Sequence, residues 1–547
     1  MSPSDVHHQL LTLADQLQAR AQPIRRLDIT ALRAAADGLL DAHGRALPEL
    51  QEALLTIEAA LRPRFSGGAA AAFQGWVAAV GGRMRGPIAL PEDDTPFWQL
   101  DPNPLAGFRS AERLPEQVDL LIIGAGLTGA SAAYHALDLV GQGQRVAVVE
   151  MGEPCSQASG RNGGNFELIP ENFFGQYEGL VRERYKFLKA VYPRLDEETL
   201  RVQADRQAAL IIGFGTRNGA RFDRIVTEEK LDCDYSPRGW LRIAESAEEE
   251  RALGGEVELV GDPSRLVTWD RERIAAELGL RAYFGGRNAP KSGNYHPRKF
   301  VIGLLRAALE RGVELYARLR VDAVVTGAGP SPIVCTAEGD IVARRVIVAT
   351  NAFTSQLFPE LAQIECYQSQ IMNLEHVTDS LKGMTVTEKK GDLYYNFPGE
   401  RRYVDAEGVT RGMLHVGGGL DRPAPLPEDL QRSASVLGLT KAGIDRRFPE
   451  TRGQPPSRVW TGPMAFTPDR LPVMGFLRRG GDPQALVIAA GFNGYGGSYC
   501  VEAGYTAVEM IRRGAALPEV PEDVFSPHRF LVEGPLFPVG APSEQRL

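Results

Sequence analysis

Cysteine is scarce in this sequence, with five in 547 residues: Cys155, Cys233, Cys335, Cys366 and Cys500. Their number is odd and none belongs to a C-x-x-C pair, so neither a disulfide framework nor a metal site is expected. Basic charge is not in excess. Sixty-one Lys+Arg face 69 Asp+Glu for a net charge of −8, which leaves no positive field for a phosphate backbone and excludes nucleic acid as the main partner. No apolar run reaches membrane-spanning length, and the opening MSPSDVHHQLL lacks the basic-then-apolar pattern of a secretory leader. The expectation is a soluble, cytoplasmic protein with no transmembrane segment. No Ser-His-Asp set, paired catalytic acids or internal repeat is visible.

The composition that is present, 43% hydrophobic and 24% charged, is that of a globular protein. The length suits roughly three to four domain-sized units. Glycine is abundant: 59 residues, where an average usage of about 7% gives roughly 38. The glycines fall in short clusters without a period, as cofactor loops require.

Residues 1–108 read as a helical extension and connector. Leu10, Leu11, Leu13 and Leu17 recur at near-helical spacing, and 29–42 and 48–61 repeat the pattern. Residues 95–116, with four prolines and the aromatics Phe97 and Trp98, form an extended connector. From Val118 the texture changes to buried strands, VDLLIIG and RVAVVE, separated by an alanine-rich helix: a β-α-β unit. Later strands at 345–349 and 485–490 run into small residues, as strands do at a ligand crevice. The fold class is α/β plus α+β. A discontinuous Rossmann-type domain is expected over 109–199, 291–355 and 456–515. A second domain is expected over 200–290 and 356–455, and an extended, proline-rich tail over 516–547.

Gly124-Ala125-Gly126-Leu127-Thr128-Gly129 follows a strand and opens a helix, the context a dinucleotide fingerprint needs. The first glycine permits the tight turn, the second the approach of a pyrophosphate, and the third close packing of helix and strand. Glu150 ends the second strand, where a carboxylate accepts hydrogen bonds from ribose hydroxyls and repels a 2′-phosphate. The fingerprint serves FAD and NAD alike. A second loop of small and polar residues, Cys155 to Asn165 (CSQASGRNGGN), supplies backbone N–H groups for a longer cofactor.

IIGAGLTG, Glu150, ASGRNGGN, ATNAF (349–353), TPDRLPVMG (467–475) and AAGFNGYGG (489–497) occur in this order. Together they resemble the D-amino-acid oxidase-type (DAO) family of FAD-dependent oxidoreductases. The ASGRNGG loop is most similar to the gamma-glutamylputrescine oxidoreductase branch. The resemblance covers roughly 118–514 and implies FAD, a Rossmann-type domain and an antiparallel-sheet substrate domain. It places Gly124, Gly126, Leu127, Thr128 and Gly129 at the pyrophosphate, Glu150 at the ribose, and Val321 at the adenine. Ser159, Arg161, Asn162 and Gly163 then lie along the cofactor towards the flavin, and Gly491, Asn493, Gly494, Tyr495 and Gly496 form the last flavin loop. A helix beginning near Ser498 directs its positive end at the reduced flavin.

The resemblance implies oxidation of a C–H bond next to an amine nitrogen, with hydride passing to flavin N5 and the imine hydrolysing. Partners are then a small-molecule amine and an electron acceptor, oxygen or another carrier. The helical extension is a candidate protein-binding face, and a flavoprotein with little turnover is the alternative, ahead of an NAD-dependent dehydrogenase. Relatives with covalent flavin carry a cysteine where Gly462 stands, so FAD is expected to be noncovalent. Small-amino-acid oxidases of the family carry a carboxylate-binding arginine after a tyrosine-bearing strand. Here that strand is 393–398 (LYYNFP), and the resemblance finds no arginine at the expected place, which favours an amine, or a carboxylate held farther away, over a simple amino acid gripped at its carboxylate. No catalytic residue is identified. Tyr394, Tyr395, Trp460 and His296 are candidates for the substrate face, although a helix cap explains His296, and Arg411 and His415 read as a solvated strand edge.

Overall fold

The computed structural model describes residues 88–166, 177–244, 246–280, 284–375, 381–390, 394–404, 408–532 and 536. The predicted helices before residue 88 lie outside these residues.

Two eight-stranded sheets organise the chain, and β3 (Asn165–Phe166) pairs with β7 (Gly293–Asn294) in a separate two-stranded sheet. In the first, β17 (Val473–Phe476), β18 (Leu486–Ala490), β11 (Gly339–Val348), β1 (Gln117–Ile123), β2 (Val146–Val149) and β8 (Glu314–Tyr316) are neighbours in that order. Strands β18, β11, β1, β2 and β8 run parallel. Strands β9 (Val321–Val325) and β10 (Ile333–Thr336) extend β11 as an antiparallel meander. Strand β1 is apolar on both faces because both are covered. Leu120 and Ile122 join one core with the helices, whereas Val118, Leu121 and Ile123 join another with the meander.

Helices α1 (Leu127–His135), α2 (Glu197–Glu228), α3 (Pro297–Leu309) and α4 (Gly496–Arg513) share the first of these cores. Helix α4 crosses α1 closely: Ser131 Oγ donates to Val501 O at 2.6 Å. A Cβ at Gly504 would lie 2.5 Å from Thr128 O and 2.6 Å from Ala132 N. Helix α2, whose sequence falls largely within the expected second domain, packs instead on α4. Asn218 Oδ1 accepts from Val501 N and Glu502 N, and the buried Glu502 is paired with Arg217 and Arg221.

The second sheet runs β16 (Arg458–Phe466), β12 (Glu365–Glu375), β15 (Thr410–Pro423), β14 (Tyr394–Val404), β13 (Thr385–Lys390), β4 (Trp240–Ala244), β6 (Gly285–Ala289) and β5 (Val267–Asp270). It is antiparallel except for the β13–β4 pair. Strand β16, expected with the cofactor segments, is hydrogen-bonded here along β12. The tail is not uniformly extended: Glu522–Phe525 forms a helical turn and Pro527–Phe530 a 3-10 turn, with Val524 and Phe525 buried in the first core. Burial of those apolar side chains offsets the ordering of a proline-rich segment.

The α1–α4 crossing gives a paired prediction. Gly504→Val is expected to cost about 1–3 kcal/mol or more by overpacking. Gly255→Ala, on the exposed face of the helix Ala247–Val260 with open space around it, is expected to gain about 0.5–1 kcal/mol. Urea denaturation midpoints would read both.

Candidate cofactor and substrate site

The turn between β1 and α1 is constrained by its own backbone. Gly124 has φ +106°, and a Cβ on Gly129 would lie 1.8 Å from Gly124 O. Glu150, at the end of β2, is buried, and its carboxylate accepts from Ala125 N at 2.8 Å and Gly152 N at 2.9 Å. Burial pushes this carboxyl up from its ordinary range, against the pull of those amides. Ser159 Oγ accepts from Leu127 N at 2.9 Å, so the second loop closes over the start of α1. At Gly126 a Cβ would meet that hydroxyl at 2.8 Å.

A cleft outside the carboxyl ends of the parallel strands brings together Gly124, Gly126, Glu150, Ser159 and Val321 with the ATNAF turn, the location a doubly wound sheet reserves for ligands. Leu127, Thr128 and Gly129 are buried in the first turn of α1. Asn351, at φ +45°, accepts from Gly491 N at 3.0 Å and so ties ATNAF to the last loop.

That last loop is built by Asn493. Its Oδ1 accepts from Thr467 N, its Nδ2 donates to Gly491 O, and its own N–H donates to Ala465 O. Helix α4 starts at Gly496, two residues before the expected position, with Tyr495 as its cap residue. Gly494 faces Met464 and Phe466 of β16. The adjoining TPD turn is locked from the tail. Asp469 is bridged by Arg529, and Arg184 donates to its backbone oxygen. Burial alone would raise the Asp469 carboxyl, but the Arg529 guanidinium holds it below the usual carboxylate range.

Strands β14, β15, β12 and β16 present the residue row Phe397, Gly417, Ile371 and Trp460. Trp460 is 1% exposed and donates Nε1–H to Arg161 O at 3.0 Å. Arg161 turns its side chain to Ser156 O and Thr461 O. Asn162 bonds Ser159 O and Gly164 N within the loop. At Gly163 a Cβ would lie 2.4 Å from the Phe397 ring, and at Gly462 it would lie 3.1 Å from Arg161 Cβ. Tyr394 and Tyr395 open β14 opposite Lys390 and Lys389. His296 caps α3, its Nδ1 accepting from Lys299 N, and its Nε2 lies 3.1 Å from Asp101.

His415 is not on a solvated edge. It is 1% exposed, with its ring 5.0 Å from Trp98, 5.3 Å from Trp460 and 6.1 Å from Phe97. The connector aromatics cover this strand, and burial beside Arg401 holds the imidazole well below its ordinary pKa. Arg401 is the residue that sequence reading missed. It is buried, its pKa is pushed down to about 10 by burial, and it donates to Gly163 O at 2.8 Å and Gly164 O at 3.2 Å. Its signal was strand parity: it lies two and four residues beyond Gly399 and Phe397 in β14.

These residues fit FAD. The glycine turn is open where a Cβ would intrude, the carboxylate ends β2, and the cleft runs from Val321 to the loop at Ser159. Glu150→Ala is expected to raise the FAD Kd about 10- to 100-fold, read by titrating apoprotein. Turnover should recover at saturating FAD, and a lasting loss would place the carboxylate elsewhere. Asp469→Asn is expected to cost about 3 kcal/mol by leaving Arg529 buried without its partner. Because the Asp469 pKa is lowered by folding, its contribution is present above the unfolded-state pKa. The difference between the two proteins in urea should therefore shrink as pH falls below about 4.

The model of the FAD-dependent oxidoreductase (DAO) family matches residues 119–510. Gamma-glutamylputrescine oxidoreductase of Escherichia coli K12 is 26% identical over 443 residues, covering 78% of this chain and 91% of that one. The probable oxidoreductase OrdL of Rhizobium meliloti is 25% identical, covering 70% and 81%. Among solved structures, L-proline dehydrogenase from P. horikoshii superposes with a TM-score of 0.58 at 19% identity, covering 76% of this chain and 99% of that chain. Glycine oxidase from Geobacillus kaustophilus gives 0.57 at 17%, covering 75% and 98%. The chain therefore belongs to the DAO family of FAD-dependent oxidoreductases.

Proposed function

We propose that the protein oxidises a carbon–nitrogen bond of an amine or amino-acid-like substrate and binds its FAD noncovalently. When bound, FAD supplies a hydride acceptor at flavin N5, so that the amine leaves as an imine and water hydrolyses it. The observation that carries the reading is the junction of the second loop with the second sheet, where Trp460 of β16 and Arg401 of β14 reach the carbonyls of Arg161, Gly163 and Gly164. A sheet able to hold substrate thus meets the loop assigned to the flavin end.

The chain's own work is positioning and exclusion of water. Phe97, Trp98, Ile371, Met413 and Trp460 form a buried apolar cluster behind the junction. Burial and Arg401 favour the neutral form of His415, which keeps one N–H donor and one acceptor nitrogen on its ring. Arg401 directs Nη2 to the loop oxygens of Gly163 and Gly164 and Nη1 to Glu400 O, so its two terminal nitrogens are engaged within the protein. Names among the relatives agree in class: gamma-glutamylputrescine oxidoreductase, glycine oxidase and L-amino acid deaminase.

Anaerobic mixing of the FAD-loaded protein with polyamines, N-methyl amino acids and acylated diamines is expected to bleach the blue flavin absorbance with at least one class. No bleaching across that panel, while dithionite still reduces the flavin, would favour a flavin-binding protein with little turnover. Acid precipitation is expected to leave all FAD in the supernatant, since Gly462 offers no thiol. A yellow pellet would reveal a covalent link.

A further inference from the structure

The carbonyl groups of four successive residues in the second loop are each held by a buried side-chain donor. Arg161 O accepts from Trp460 Nε1 at 3.0 Å, and Asn162 O accepts from Trp98 Nε1 at 2.6 Å. Gly163 O and Gly164 O share Arg401, at 2.8 and 3.2 Å. The donors come from three separate parts of the chain: the connector, β14 and β16. Trp98 and Arg401 are themselves in contact, the guanidinium carbon lying 5.4 Å from the indole centroid.

A planar trans peptide couples each of these carbonyls to the amide after it, because its C=O and the next N–H point in opposite directions. With the Arg161 and Asn162 carbonyls turned to the indoles, the N–H groups of Asn162 and Gly163 must face the other way. Among the described residues no protein acceptor meets either of these two amides, whereas the Gly164 amide is taken by Asn162 Oδ1 at 2.8 Å. The glycine pair is needed on the clamped side. Gly164 has φ +67°, and its Cβ would lie 2.4 Å from Trp98 Cζ2.

We propose that Trp460 and Trp98 are positioning residues that clamp the Arg161 and Asn162 carbonyls and so aim the Asn162 and Gly163 amides at the flavin, while Arg401 anchors the next two carbonyls of the same loop. This rests on the assignment of the loop to the flavin end of the cofactor. It also makes the connector, which precedes the family-matched segment 119–510, part of the cofactor site. Adjacent backbone N–H groups held in one direction form a ready concavity for an acceptor.

The test uses the full-length holoprotein with Trp98→Phe, Trp460→Phe, Arg401→Met and Arg401→Lys, and Lys186→Ala on an exposed helix as the control. Each Trp→Phe change keeps an aromatic ring and removes one donor. It is expected to raise the FAD Kd about threefold to tenfold and to alter the visible circular dichroism of the flavin at saturating FAD. Arg401→Lys should recover part of what Arg401→Met loses. Folded variants whose flavin dichroism at full occupancy superposes on that of the parent and the control would overturn the clamp. Gly126→Val distinguishes failure of the clamp from failure of the cofactor site. If it keeps its FAD, the cofactor cleft itself is misassigned, and if it loses FAD while the Trp→Phe variants stay unaltered, only the clamp fails.

Discussion

One steric constraint sets the position of everything else: the β1–α1 turn has no room for a side chain at Gly129, whose Cβ would overlap the Gly124 carbonyl. The helix is thereby forced down onto the sheet, and its first turn is brought to the mouth of the cleft. Glu150 then binds the Ala125 amide, and Ser159 binds the Leu127 amide, so β2 and the second loop are both referenced to that turn. Helix α4 lies across α1 through Gly504 and carries the last loop with it. The end of β2, the second loop and the last loop are thus indexed to one turn.

The parts legible in the sequence are those whose requirement is local. The fingerprint glycines, the acid ending β2 and the doubly buried parallel strands each depend on backbone geometry within a few residues, and composition records that geometry. Less legible was whatever depends on register across a sheet. Strand β16 reads like any buried strand, and only its pairing with β12 assigns it to the second sheet. His415 occurs in a polar-looking stretch, and nothing nearby announces that Phe97 and Trp98, more than three hundred residues away, cover it. Arg401 was passed over because a cation in a strand ordinarily faces water. Here backbone oxygens of a distant loop compensate its burial.

Charge is used to join segments more than to decorate the surface. Arg529 and Asp469 fasten the tail to the TPD turn, and Arg217 and Arg221 fasten α2 to α4 through Glu502. Each joint links stretches far apart in sequence near one of the cofactor loops. Removing a single partner would leave a charge in a low-dielectric setting, so such joints set geometry more strictly than apolar contacts of similar size.

The stretch before Trp98 has a second role, set by its course past β16, the last strand at one end of the second sheet. Val459 N–H donates to Asp93 O, and Arg458 pairs with the Asp93 carboxylate. A terminal strand with open N–H and C=O groups is a template for pairing with other molecules. By occupying part of this one, the connector acts as a guard against edge-to-edge polymerisation. Chains shortened from the N-terminus beyond Asp93 would therefore meet a solubility problem distinct from any loss of flavin.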